Sequence, residues 1–482
     1  MSNRTLLVLL GLFLAIRAIT LPSHPLTDDT EARYATVAKD MAYSGDWVTP
    51  RIWIYENHIP YLGKPPLHFW VTALSIHLFG PNEFAARLPS LAGAALLIIL
   101  MFVILRRRVE SEIIQSALMI LSSSALFFVL AGAVVIDMIL TLFITGAVLS
   151  YQAFLTERVR LRKKLWSSSV FVFLSLGFLT KGPVAVVMFG IPVFLHTLLH
   201  KKWTTLKDHA WLPGILIFLV LTIPWFWLAE IRNPGFLKYF FYNENILRFV
   251  THDFGDLYGK GHVKPYGFAL ILLLLVGLPW TLWSMALLFR KQGRKWFIHS
   301  FKDEHISLIT LSLTGITFFL CLTRAVLMTY LLTALPFFAV WCAMLLRKSG
   351  IRLKTITLVS VALVVLYGIV YPLLPSPDIH GYSAKNIVQL GRQAKARLSL
   401  DGGLVFVTNV PYSAYFYGQD LTLPQPKDSN GLSILKGLDS GKDHLYVVKR
   451  KYQRSIPPAT LDKLEQICAF GDWTVYRAAQ HH

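Results

Sequence analysis

Runs of lipid-crossing length recur along the whole chain. Mostly apolar stretches occupy positions 6–21, 88–105, 113–130, 138–155, 166–180, 184–199, 211–228, 266–289, 306–322, 326–346 and 353–371. Crossing a hydrocarbon core about 30 Å thick takes roughly 17–25 residues of helix, so these runs predict about eleven spans, and up to thirteen. Only 15% of the 482 residues are charged, against roughly 25% in a soluble domain. The expected class is therefore mostly α and polytopic, with most of the chain in lipid. The small-residue pattern at which a signal peptide is cleaved is weak after the first run and further spans follow, so the run is read as a retained anchor. The run at 67–79 is short for a crossing and is expected at the interface.

Lys and Arg outnumber Asp and Glu by 47 to 27, a formal charge of +20. The cations form short clusters between apolar runs, namely Arg106-Arg107-Arg108, 158–164, Lys201-Lys202, 290–295 and 347–354. A nucleic-acid binder would gather them in one stripe, so a nucleic-acid partner is excluded and membrane lipids are expected instead. The clusters fall on alternate connections. Cytoplasmic retention of Lys and Arg then predicts a bacterial inner-membrane protein with a cytoplasmic N-terminus and periplasmic segments at 22–87, at 231–264 and in the tail. Cys321, Cys342 and Cys468 support neither a disulfide framework nor a cysteine metal site.

Near residue 375 the composition changes. Short β-like runs at 404–408, 445–448 and 474–476, with a helical pattern at 459–468, predict a small α/β domain over 375–482 beside a membrane domain over 1–374. No catalytic motif occurs in the tail, which is expected to act as a lid or cap.

The chemistry-bearing residues concentrate in the first outer stretch. It contains Asp28-Asp29-Thr30-Glu31-Ala32-Arg33-Tyr34-Ala35, then Gly45-Asp46-Trp47 and Gly63-Lys64-Pro65-Pro66-Leu67. Tyr34, Val37, Ala38 and Met41 fall at i, i+3, i+4 and i+7, predicting a helix with one apolar face that lies along the membrane surface. Asp28 and Glu31 fit a helix start, where carboxylates accept the first amide hydrogens. Trp47, Trp53, Tyr55 and Tyr61 suit an interfacial position.

These motifs, with Asn82-Glu83-Phe84-Ala85-Ala86-Arg87-Leu88-Pro89-Ser90 and Val135-Ile136-Asp137, resemble the bacterial dolichyl-phosphate-mannose-protein mannosyltransferase superfamily. The likeness continues through Thr180-Lys181-Gly182-Pro183, Gly255-Asp256-Leu257-Tyr258-Gly259 and His262-Val263-Lys264-Pro265. It is greatest to the branch of the lipid A aminoarabinose transferase, ArnT. The resemblance implies a GT-C fold with juxtamembrane helices in the first outer loop and an extracytoplasmic site. It also implies inverting transfer of a pentose or hexose from a polyprenyl (undecaprenyl) phosphate to lipid A, a protein or another envelope glycan.

The family's acid comes from an Asp-Glu pair in the first outer loop. Placing that branch's Asp-Glu-Thr-Arg-Tyr on Asp28-Asp29-Thr30 and Arg33-Tyr34 takes an insertion, whereas an ungapped match puts Glu31 on the Glu. The catalytic acid therefore stands among Asp28, Asp29 and Glu31, and Tyr34 is a further site candidate. Gly63 occupies the place of a Glu in that branch, which counts against the branch's metal site; a divalent metal is left open without support from the sequence, and no cofactor is assigned.

An acid within reach of the acceptor can take its proton, typically worth about 10²–10⁴ in rate. Arg33, Lys64 and Arg324 are candidates for the donor phosphate, because ionised donors make short bonds to phosphate oxygens. Asp137, at the start of a span, is either a sugar-orienting or cation-pairing group or a helix cap. Lys181 either reaches phosphate or complements a helix C-terminus. Glu244 and Arg248 have the spacing of a surface i, i+4 pair. His262 has no Cys or Glu partner in sequence and reads as a hydrogen-bonding group before a metal ligand. The rivals in other classes are a transporter or flippase of lipid-linked sugars and a membrane-anchored scaffold; a protein O-mannosyltransferase-like enzyme is the alternative within the family.

Overall fold

The computed structural model describes residues 1–28, 30–54, 57–248, 258, 264–407, 410–422, 443–454 and 456–479. The chain is mostly helical and divides into two compact units. The first comprises Met1–Thr20, Leu62–His68 and Arg87–Tyr371; the second comprises Leu21–Tyr61, Phe69–Ala86 and Pro372–His482. The first outer stretch thus belongs mainly to the same unit as the tail.

In the first unit, six helices among the described residues are long and apolar enough to cross a membrane: Asn3–Thr20, Glu83–Leu105, Ile136–Thr156, Trp211–Arg232, Glu304–Cys321 and Leu353–Leu373. The first of these begins this unit, and Glu83–Leu105 enters it at Arg87. The expected single span at 266–289 is instead two helices, Phe268–Val276 and Trp280–Leu288, bent by 113°. Pro279 at the break has no N–H to continue the helical ladder. The run at 113–130 is likewise two helices, Ser111–Ser123 and Ala125–Leu130. The run at 326–346 opens with a 3₁₀ turn, Met328–Thr333, before the helix Leu335–Lys348.

The two breaks meet. Ala125 N donates to Leu278 O at 3.4 Å, and buried Trp280 donates from Nε1 to Ser123 Oγ at 3.0 Å. Backbone groups freed inside a bilayer need partners from neighbouring protein, and each interrupted helix supplies some for the other.

The first helix buries a single stripe, Leu6, Leu10, Phe13, Arg17 and Thr20. Leu9, Leu14 and Ile16 are half-buried against the core and most of the rest is exposed, as a helix flanked by lipid on one side requires. Arg17 is fully buried. Its guanidinium donates to Thr20 Oγ1 at 2.8 Å, Gly132 O at 2.8 Å and Val129 O at 3.2 Å, and lies 4.7 Å from the Tyr371 ring centroid. Any β-carbon at Gly132 would collide with that guanidinium.

One end of this unit collects the basic connections. Arg108 lies over Trp166, Lys163 pairs with Asp208, Lys202 with Glu304 and Arg347 with Glu112, while Gln152 donates to His305 O. The clusters expected on alternate connections are therefore neighbours in space.

The second unit holds the helix Glu31–Ser44, the hairpin β1 (Arg51–Ile54) and β2 (Asn57–Pro60), and a four-stranded sheet. In that sheet β3 (Leu404–Phe406), β4 (Leu445–Lys449), β5 (Leu464–Phe470) and β6 (Trp473–Ala478) are ordered β3-β4-β6-β5, with only the β3–β4 pair parallel. Leu404, Phe406, Leu445, Val447, Trp473 and Val475 pack on one side against Ile387 and Val388 of the helix Lys385–Arg397. Val405, Val407, Tyr446, Val448 and Tyr476 form the opposite side, the two-residue alternation of a sheet buried on both faces.

The helix expected at 459–468 is a correction. A short helix, Pro458–Leu461, leads directly into β5, which pairs antiparallel with β6. Edge pairing overrides the apparent helical spacing there.

Candidate active site

In the first unit a cluster of ionic and aromatic side chains assembles around Lys64. The helix Arg160–Lys181 ends at Gly182, whose φ of 74° suits glycine, and a β-carbon there would come within 2.5 Å of the Phe240 ring. This close approach seats the π-helical segment Tyr239–Leu247 against the helix end. Wide π turns commonly occur at functional sites, and this one carries Glu244.

The Glu244 carboxylate is buried and accepts from Lys64 Nζ at 2.9 Å and from Arg248 Nη1 at 2.9 Å. The i, i+4 spacing of Glu244 and Arg248 thus marks part of a buried triad instead of a surface pair. Burial pushes the Glu244 pKa up, but Lys64 and Arg248 together outweigh it and hold the group below the usual carboxylate range. Lys64 feels the opposite balance: burial draws its pKa below the ordinary lysine value even though Glu244 opposes the shift. Its ammonium also donates to Gly63 O at 2.7 Å. Two of its three N–H groups are thereby used among the described residues.

Gly63 and Tyr258 line this corner. Leu62 N donates to Tyr258 Oη at 2.7 Å, and a β-carbon on Gly63 would lie 3.4 Å from the Tyr258 ring and 3.6 Å from Glu244 Oε1. A glutamate at 63 would have to project beside the Glu244 carboxylate. Among the described residues, no group of three or more His, Cys, Asp or Glu side chains is placed to hold a metal ion.

Asp137 and Lys181 complete the cluster. Asp137 opens the helix Ile136–Thr156 and Lys181 closes the antiparallel helix Arg160–Lys181, so the hairpin brings them together at 2.6 Å. Val135, not Asp137, is the cap residue of that helix. Lys181 Nζ also lies 3.7 Å from the Tyr330 ring centroid, and Tyr330 is close enough to Lys64 to act on its charge. Tyr330 therefore joins the two ion-paired groups. It sits in the 3₁₀ turn that interrupts an apolar run, and no sequence motif marks it. The helix Ile136–Thr156 separates this cluster from the basic connections by about 30 Å at 1.5 Å per residue.

Among the described residues Arg324 makes no ion pair with this cluster. It is exposed, lies 5.7 Å from the Tyr266 ring centroid, and its carbonyl accepts from Lys264 N at 2.8 Å.

In the second unit the first-loop acids have structural partners. Asp28 accepts from Ser413 N at 2.9 Å and Ser413 Oγ at 2.6 Å, at the start of the tail helix Tyr412–Gly418. Glu31 accepts from Thr27 N at 3.1 Å and Thr27 Oγ1 at 3.3 Å. The helix Glu31–Ser44 itself has no side-chain cap from Thr30; Asp28 instead serves the amide end of another helix. Asp28→Ala is expected to cost the second unit about 1–2 kcal/mol, the usual penalty for losing such an acceptor. The check is faster limited proteolysis of the tail with a lowered Tm.

Arg33 and Tyr34 lie side by side. The Arg33 guanidinium is 5.4 Å from the Tyr34 ring centroid. Burial disfavours its charge, but the hydroxyls of Tyr61, Tyr34 and Tyr412 more than compensate and raise its pKa further above the ordinary arginine value. Tyr34 packs edge-on against Phe69 and Tyr61. Asp29 and His262 lie outside the described residues, as does most of the Gly255–Gly259 motif.

Comparison with known proteins agrees with this architecture. A crystal structure of ArnT from Cupriavidus metallidurans bound to undecaprenyl phosphate superposes with a TM-score of 0.77 over 99% of this chain and 98% of that one, at 18% identity. The chain has the ArnT fold. An archaeal oligosaccharyltransferase, AglB of Archaeoglobus fulgidus, is a more distant match at TM-score 0.52 and 11% identity, covering 98% of this chain and 74% of the other.

In sequence, residues 63–227 match the dolichyl-phosphate-mannose-protein mannosyltransferase family. An undecaprenyl phosphate-alpha-4-amino-4-deoxy-L-arabinose arabinosyl transferase of Aeromonas salmonicida is 28% identical over 343 residues, 71% of this chain and 59% of the relative. One from Proteus mirabilis is 26% identical over 284 residues, 58% of this chain and 50% of the relative. The matched stretches thus span roughly half to three-fifths of those relatives. The resemblance to the ArnT branch holds in sequence and in fold.

Proposed function

We propose that this chain is an inner-membrane glycosyltransferase that moves a sugar from an undecaprenyl-phosphate-type donor to an extracytoplasmic acceptor, with lipid A the first choice. The observation that carries the reading is the buried cluster of Lys64, Arg248 and Lys181 with Glu244 and Asp137, at the end of the membrane unit away from the basic connections. Among the described residues its cations exceed its carboxylates by one charge, which suits an arriving phosphate. Ionised donors fixed in a water-poor site stabilise a departing phosphate without having to reorganise. The names of the relatives supply the donor class and the aminoarabinose precedent.

The reading places the N-terminus in the cytoplasm and both the cluster and the tail domain in the periplasm. About eleven crossings result when the helices Arg160–Lys181 and Pro183–Leu199 and the interrupted runs at 111–130, 268–288 and 328–348 are added to the six long helices. Sugar transfer is read as inverting, with Arg33 and Arg324 as secondary phosphate candidates. Asp28 and Glu31 are engaged in folding contacts, so Asp29 is the first-loop acid assigned to deprotonate a hydroxyl acceptor. Asp29→Asn is then expected to slow transfer to a hydroxyl, measured against Asp28→Ala.

Purified protein incubated with a radiolabelled polyprenyl-phosphate sugar should label lipid A or another envelope acceptor. No transfer to lipid A, protein or other envelope glycan would remove the proposal. The paired breaks at 123–125 and 277–279 favour one second reading, a flippase, because interrupted helices line the paths of many transporters. Donor movement across proteoliposomes without transfer would establish that alternative.

A further inference from the structure

We infer that the basic end of the membrane unit carries a built site for an anionic phospholipid of the facing leaflet, separate from the donor site. A cavity of about 400 Å³ opens there, lined by Leu199, His200, Ile298, Phe301 and Lys302. Three of its lining residues belong to the helix Lys291–Lys302, which contains no acid.

This helix has two distinct faces. Gly293, Trp296 and Ser300 are buried, at spacings of three and four, and Trp296 packs at a tilt against Trp341 with ring centroids 5.3 Å apart. A β-carbon at Gly293 would collide with the Leu287 carbonyl, so only glycine lets the helix fold this closely onto the preceding one. Lys291, Lys295, Ile298 and Lys302 follow i, i+4, i+7 and i+11 on the outward side, and all are exposed. The face is a row of cations interrupted by one apolar residue at the cavity.

The surroundings match an amphiphile in both chemistry and sign. Phe194, Leu198 and Leu199 are exposed on the helix Pro183–Leu199, so apolar surface leads to the cavity. Nearby acids are already engaged: Glu304 pairs with Lys202, and Asp303 faces His299 and caps the next helix by accepting from His305 N. Among the described residues, no carboxylate pairs with Lys291, Lys295 or Lys302. His200 is fixed by its Nε2 contact with Ser307 Oγ at 2.9 Å, giving the cavity a rigid polar wall. An acyl chain follows the apolar surface while the headgroup phosphate meets Lys302 and Lys295.

The test is native mass spectrometry of the full-length protein titrated with phosphatidylglycerol or phosphatidylcholine, with inorganic phosphate as competitor. Phosphatidylglycerol should bind in preference, and Lys302→Gln should weaken it roughly fivefold, with a similar further loss on adding Lys295→Gln. Lys302→Arg should retain binding, and Ile298→Trp should reduce it by filling the cavity. Millimolar phosphate should not compete. Equal affinity for both lipids, unchanged binding in Lys302→Gln with Lys295→Gln, or displacement by phosphate alone would overturn the proposal. All variants lie about a helix length from the transfer cluster, so a failed transfer assay and a failed lipid titration remain separate results.

Discussion

Lys64→Ala is expected to reduce transfer from a polyprenyl-phosphate sugar by about 10²–10³-fold, the usual consequence of removing one preorganised donor from a developing anion. Glu244 keeps its contact with Arg248 in that variant, so no carboxylate is stranded and the fold should persist. An unchanged Tm with lost turnover is the expected pair of readings; wild-type turnover would take Lys64 out of the site. Glu244→Gln provides a sharper check. It removes the carboxylate that opposes the effect of burial on Lys64. The Lys64 pKa then falls further, the ammonium is lost at a lower pH, and the alkaline limb of the transfer profile moves toward neutrality. An alkaline limb that does not move would mean the Lys64 charge is not required.

Asp137→Ala should have the largest effect on stability, about 3–5 kcal/mol, because it removes the carboxylate that accepts from buried Lys181 at 2.6 Å. Both side chains of the pair are about nine-tenths buried, at 8% and 11% exposure, so solvent screening relieves little of that cost. The paired replacement Asp137→Leu with Lys181→Met removes both charges together. It should recover most of the lost Tm while remaining inactive. Recovery of activity along with stability would show that the pair only holds two helices together.

Much of the membrane architecture was legible because apolar length and basic clustering are local signals. The six long helices overlap expected spans, and the five basic connections meet at one end. What escaped was set by contacts distant in sequence. The bend between Phe268–Val276 and Trp280–Leu288 is accommodated by groups near Ser123, and hydropathy averaged across Gly277 and Pro279 conceals it. Of the candidate site residues, Lys64, Glu244, Asp137 and Lys181 were each visible as charges in apolar surroundings, but their pairing was not. Tyr330 carries no pattern at all, and the role of Asp28 depends on Ser413, 385 residues away. The spacing at 459–468 imitates a short helix because the pairing that makes Leu464–Phe470 a strand lies on its neighbour, Trp473–Ala478.

The seat of Arg17 bears on how the protein is made. Two of its carbonyl partners, Val129 and Gly132, are synthesised 112 and 115 residues after it. The first helix therefore enters the bilayer before most of its binding partners exist, and its cation must reach toward headgroups in the meantime. Only when the chain near 132 has been inserted can that side chain withdraw into the protein. Docking of the first helix is thus expected to follow its threading as a separate step, and Gly132 leaves the room that the guanidinium then fills.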